Sequence, residues 1–196
     1  AEFLDQCRLR SAVADDALDL LFQPLYDLQL GQMMGAECQL CWPSETPVKV
    51  PADAAFAAAE AADLVPPMVS SILNRALRNV SDFRYRAGVD LRLQWHLPAR
   101  ALRCEALPEL VQSALATWRL RPGRLCLGIG DLAQILDEVV LQQALVRLKA
   151  VGVRLALDDP KVPLATLFSL RALPFQEIRL DLVPRSEEHT SELQSH

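Results

Sequence analysis

The chain has little glycine (7 of 196 residues), 3 histidines and only 6% aromatic side chains. Nowhere does it run for about 18 apolar residues without a charge, so no stretch reads as a transmembrane helix. The first residues also lack the basic, apolar, small-residue order of a secretory signal. A cytoplasmic segment is expected, one that can belong to a larger, membrane-anchored protein. A disulfide framework is missing too, since Cys7, Cys38, Cys41, Cys104 and Cys126 are odd in number and unpatterned, which fits a reducing compartment. A net charge of −5 leaves no surplus of positive charge for a polyanion. A nucleic-acid polymer is therefore not an expected partner.

What is present is the balance of a soluble globular domain, 51% hydrophobic and 23% charged. The β-prone run Leu18–Leu25 ends at a proline and leads into a second apolar run through Gly31, which reads as a hairpin. An alanine-rich helix over Ala52–Asp63 and a second one opened by Pro66-Pro67 follow; Val69, Ile72, Leu73, Ala76, Leu77 and Val80 give the second a stripe of helical period. After Gly88 strand and helix alternate: strands "DLRLQWHL", "RLCLGI", "VRLALD" and "EIRLDLV", with helices "LPELVQSALATW", "DLAQILDEVVLQQALVRLKA" and "PLATLFSLRAL" between them. Asp131 stands as a helix cap and Gly152 as a helix stop. Such alternation predicts a parallel sheet with crossover helices. About six strands are legible, and the expectation is an α/β fold, a TIM-type (β/α)8 barrel that is incomplete.

The tail Arg185–His196, "RSEEHTSELQSH", resembles the in-frame translation of a sequencing-library adapter. The expected organisation is a partial domain over 1–184, continuing in nature beyond Pro184, and a non-native tail over 185–196. An unclosed sheet leaves edges to pair, so residues 1–184 alone are expected to be poorly soluble or to form a homodimer.

Barrel chemistry sits at the C-terminal ends of the strands. Those ends here carry Glu37 with Trp42 after it, His96, Gly128 to Asp131, the pair Asp158-Asp159, and Arg179 with Asp181. Read alone, the aspartate pair has two readings, a metal-holding pair or a strand end whose Asp159 caps the next helix. Cys38 and Cys41 form a C-x-x-C, but on a strand positions i and i+3 point to opposite faces, which argues for two buried thiols against a redox pair or shared metal.

Taken in order, these residues resemble the EAL domain family of cyclic-di-GMP phosphodiesterases, over about Arg10 to Pro184. "LLFQPLYDLQLGQMMGAECQLCW" is similar to the family's opening Y-Q-P-I-x-D-L…G-x-E-A-L-x-R-W. "GVRLALDDPKVPLATLFSLRALPFQEIRLD" aligns without a gap to the stretch built on L-D-D-F-G-T-G-Y-S-S-L. The resemblance implies a barrel holding two divalent ions, Mg or Mn, that hydrolyses one phosphodiester bond of the cyclic dinucleotide to the linear product. It assigns Glu37, Asp158 and Asp159 to the metals, with His96 at the family's asparagine position, where it reads as a ligand or as a filler of the barrel mouth. Gln23 falls at a guanine-contacting position, and Asp181 is carried over as a ligand-binding residue.

Several positions depart from the family pattern. Glu-Ala-Leu reads Glu37-Cys38-Gln39, the phosphate-meeting arginine is Cys41, and the glutamate of L-E-I-T-E is Gly128. Arg179 stands at the family's catalytic lysine, and arginine holds its charge as a planar fork that stays protonated. The loop Phe-Gly-Thr-Gly-Tyr-Ser is Pro160-Lys161-Val162-Pro163-Leu164-Ala165, stiffer and without the two glycines. The expectation is a catalytically impaired domain acting as a cyclic-di-GMP sensor or through a protein partner; the alternative is a metal-dependent phosphodiesterase with an altered site.

Overall fold

The structure is a computed structural model, and it describes residues 2–15, 17–42, 48–49, 51–130, 138–158 and 173–179. The hairpin forms as its sequence dictates. Strand β1 (Asp19–Asp27) and strand β2 (Gln32–Trp42) pair antiparallel, with Gln23 opposite Glu37. At the tip Asp27 Oδ1 accepts the backbone N–H groups of Gln29 and Leu30 at 2.9 and 3.0 Å, and Gly31 takes φ 62° to close the turn. Pro24 does not end the strand: β1 runs on to Asp27, because it lies at the sheet edge, where a missing N–H is tolerated.

Next come a short strand β3 (Val48–Lys49) on β2, then helices α2 (Ala52–Ala61) and α3 (Val65–Ala87). The predicted stripe of α3 is the buried one, joined by Met68, and the helix stops at Gly88 with φ 67°. From there the chain alternates as expected: β4 (Arg92–Pro98), α4 (Leu107–Thr117), β5 (Leu125–Gly130), α5 (Glu138–Val151), β6 (Arg154–Asp158) and β7 (Glu177–Arg179). One sheet runs β1-β2-β4-β5-β6-β7, parallel from β2 onward. This is the α/β, TIM-barrel-like arrangement that the alternation predicts. The helix expected over Pro163–Leu173 and the cap at Asp131 fall on, or almost wholly on, positions outside the described residues.

One helix goes unannounced by the sequence reading. Helix α1 (Glu2–Ala14) seats Leu9 and Ala12 against the core, but its charged residues are interleaved with the apolar ones and leave no clear stripe.

The two faces of the sheet differ in kind. Leu93, Trp95, Leu97, Leu125, Leu127, Ile129 and Leu155 alternate along β4, β5 and β6 and belong to one core with α2, α3, α4 and α5. The positions between them, Arg92, Gln94, His96, Cys126, Gly128, Gly130, Arg154, Ala156 and Asp158, therefore share the opposite face, which we call the inner face. The fold rests on the apolar side. Replacing Leu73, 1% exposed on α3, by alanine should destabilise the chain by about 3 kcal/mol. Urea unfolding of the full chain measures this, and a loss under about 1 kcal/mol would place the core elsewhere.

Candidate functional site

Parallel register brings the inner-face residues into layers. His96, Gly128 and Ala156 lie side by side on β4, β5 and β6, and Asp158 pairs with Arg179 on β7. Asp158, whose side chain is 9% exposed, meets two partners: His96 Nδ1 at 2.5 Å from Oδ2, and Arg179 Nη1 at 3.1 Å from Oδ1 and 3.3 Å from Oδ2. An ionised carboxylate only accepts, so the imidazole Nδ1 donates. Arg179 also directs Nη2 to the Cys126 sulfur at 3.5 Å.

The glycine of β5 makes this arrangement possible. A Cβ on Gly128 would stand 2.6 Å from Asp158 Cγ, overlapping the carboxylate, and a Cβ on Gly130 would stand 2.7 Å from His96 Cε1. Gly128 thus does more than withhold a ligand: its empty side is filled by Asp158.

Glu37 has two amide partners of its own. Gln39 Nε2 donates to its Oε1 at 2.9 Å and Gln94 Nε2 to its Oε2 at 3.1 Å. It shares with His96 the lining of a cavity of about 320 Å³, whose apolar wall includes Phe56 and Trp95, ring centroids 6.4 Å apart. Deeper on the inner face, Glu177 Oε1 accepts from Arg92 at 2.7 Å and from Arg154 at 2.7 Å. Arg92 and Arg154 are thus paired with Glu177, and Arg179 with Asp158.

Of the residues singled out in the sequence, the structure gathers His96, Asp158 and Arg179, sets Gln23 beside Glu37 on the hairpin, and leaves Asp159 and Asp181 outside the described residues. Sequence reasoning missed Gln94, Cys126 and the Arg92–Glu177–Arg154 group. Alternation could have found them, since Arg92, Gln94 and His96 stand two apart on one strand. Cys38 and Cys41 are each 1% exposed, and burial first, then the Glu37 charge and Cys41, push the Cys38 thiol up to about 12. That agrees with two inert thiols.

A divalent ion is poorly served by the described residues. No group of three His, Cys, Asp or Glu side chains is gathered among them. At an effective dielectric of about 20, unit charges about 4 Å apart interact by about 4 kcal/mol, so a dication meeting both groups loses to Arg179 about what it gains from Asp158. The guanidinium already supplies Asp158 with a positive charge.

An α/β sheet of this order, with an acid–base–guanidinium cluster at its strand ends, is a TIM-barrel-like scaffold. The EAL domain model matches residues 6–183, and the chain belongs to the EAL domain family. An uncharacterised signalling protein of Caulobacter vibrioides is 32% identical over 173 residues, 88% of this chain and 21% of that protein. The cyclic di-GMP phosphodiesterase NbdA of Pseudomonas aeruginosa is 28% identical over 173 residues, 88% of this chain and 22% of that protein. The chain therefore spans between about a fifth and a quarter of these curated relatives. Among solved structures, the PaMucR phosphodiesterase in its c-di-GMP complex superposes with TM-score 0.77 at 25% identity, covering 91% of this chain and 72% of that one. The FimX EAL domain of Xanthomonas citri, in complex with c-diGMP, gives 0.75 at 22% identity, covering 92% and 70%. Among the described residues no helix is long and apolar enough to cross a membrane.

Two outcomes are expected at this site. Arg179→Ala should cost about 2–4 kcal/mol in urea unfolding, because it leaves a buried carboxylate with one partner fewer; no loss would mean that water already neutralises Asp158. In a thiol-labelling time course on the folded chain, exposed Cys7 should react first, while Cys38, Cys41 and Cys126 react only on unfolding.

Proposed function

We propose that this chain is an EAL domain of cyclic-di-GMP signalling that works by binding, as a nucleotide sensor or protein-interaction module, and has lost hydrolysis. The observation that carries this reading is the commitment of Asp158 to His96 and Arg179 over the vacant side of Gly128. Hydrolysis at a two-ion centre needs carboxylates that are open to the ions, and here a fixed positive charge stands in front of one. Arg179 can still present its fork to a phosphate, and Gln23, exposed beside Glu37, offers an amide that both donates and accepts to a base edge. The solved complexes of PaMucR and FimX with the dinucleotide support the choice of ligand.

A second reading has one observation in its favour. Asp158 Oδ1 is buried and, with Arg179 Nη1 3.1 Å away, accepts no well-directed hydrogen bond among the described residues, which leaves a lone pair that Mg or Mn would satisfy. That reading makes the chain a phosphodiesterase with Glu37, His96, Asp158 and Asp159 as ligands and Arg179 as phosphate clamp; replacing Asp158 by asparagine would then abolish turnover.

Calorimetric titration with cyclic-di-GMP, with manganese and with a chelator, followed by chromatography for the linear dinucleotide, separates the two. Binding in both conditions without product is expected. Manganese-dependent product at the rate of intact relatives would overturn the reading, and no binding in either condition would leave a protein partner as the ligand.

A further inference from the structure

Three features on the inner face meet at one point. Gly128 and Gly130 flank the ends of β4 and β6, each with its Cβ position occupied by a neighbour's polar group: Asp158's carboxylate at the first, His96's imidazole at the second. The imidazole and the carboxylate are bonded to each other at 2.5 Å. The carboxylate also meets a guanidinium, with Arg179 Nη1 3.1 Å from Oδ1. By contrast, a Cβ at Gly123 would have nothing within 4 Å, so contact of this kind is not common to all the glycines.

We propose that Gly128 and Gly130 are positioning residues that seat a His96–Asp158–Arg179 clamp, in which the guanidinium stands permanently where a divalent ion would have to bind Asp158. The glycines set ligand class at this end of the sheet by what they admit. Any side chain at 128 drives the Asp158 carboxylate out of its seat, and any at 130 moves the ring that holds it. With both absent, carboxylate, imidazole and guanidinium close on one another and the end needs no metal to be neutral. The expected ligand there is an anion meeting Arg179, not a cation meeting Asp158. This rests on the reading of these strand ends as the functional end, but not on which nucleotide binds.

The test is nitrogen-edited proton NMR of the imidazoles in the full chain. A downfield, exchange-protected His96 Nδ1–H signal is expected in the parent. It should vanish in Asp158→Asn and in Gly128→Ala, weaken or shift in Gly130→Ala, and persist in Gly123→Ala. A folded Gly128→Ala chain that keeps the parent signal would overturn the proposal. Should Gly128→Ala fail to fold, a manganese titration of the parent and of Asp158→Asn decides: His96 resonances of the parent unbroadened at millimolar manganese support the clamp, whereas saturable broadening that Asp158→Asn removes refutes it. Neither arm uses the dinucleotide, so a failure of nucleotide binding and a failure of the clamp are read separately.

Discussion

A carboxylate buried at the end of a strand has to be neutralised, and the way Asp158 achieves this constrains every neighbour. It needs a donor on one side, supplied by His96 from β4, and a cation on the other, supplied by Arg179 from β7. Both arrive through parallel register, which places β4, β5, β6 and β7 in order and the residue between, on β5, at position 128. That residue has to be small, or the carboxylate has no room. One ion pair thus ties together four strands that are remote in sequence.

The same logic extends down the inner face. Cys126 lies between Arg179, 3.5 Å from its sulfur, and Glu177, 4.0 Å from it, and Glu177 is bracketed by Arg92 and Arg154. Burial outweighs the nearby guanidinium and raises the Cys126 thiol, so it serves as a neutral spacer between charged layers. Among the described residues of strands β2 and β4 to β7, three carboxylates stand against three guanidiniums on this face. A metal centre needs the opposite, an excess of negative charge waiting for cations.

Periodicity and turn signals made much of the fold legible: the strand and helix alternation after Gly88, the stripe of α3 and the turn at Gly31 stand among the described residues where the pattern puts them. Helix α1 escaped, because two buried residues among scattered charges give no period to read. At the site, the identities of His96, Asp158 and Arg179 were legible from strand ends, and so was the absence of a side chain at Gly128. What filled that absence was not. Sequence order says nothing of which neighbour swings into a vacated space, since that depends on the register of β5 against β6 and on the direction of one carboxylate. Glu37 was read as part of the same cluster, yet two amides hold it, and one of them, Gln94, is visible only once β2 and β4 are known to be adjacent.

The two faces of the sheet carry separate demands in this chain. Stability comes from the outer face, where leucine, isoleucine and tryptophan alternate against the helices, and none of those positions is an inner-face position. The apolar packing therefore places little demand on the inner-face residues, provided each buried charge keeps a partner. Here the changes are mutually dependent: a guanidinium at 179 is useful to Asp158 only if the carboxylate can turn toward it, and it can turn only over a glycine. Restoring a side chain at 128 while Arg179 remains would crowd the carboxylate against a cation it already neutralises, and replacing Arg179 while Gly128 remains would leave the carboxylate buried with one partner fewer. Each single change costs stability, so the glycine, the carboxylate and the guanidinium depend on one another.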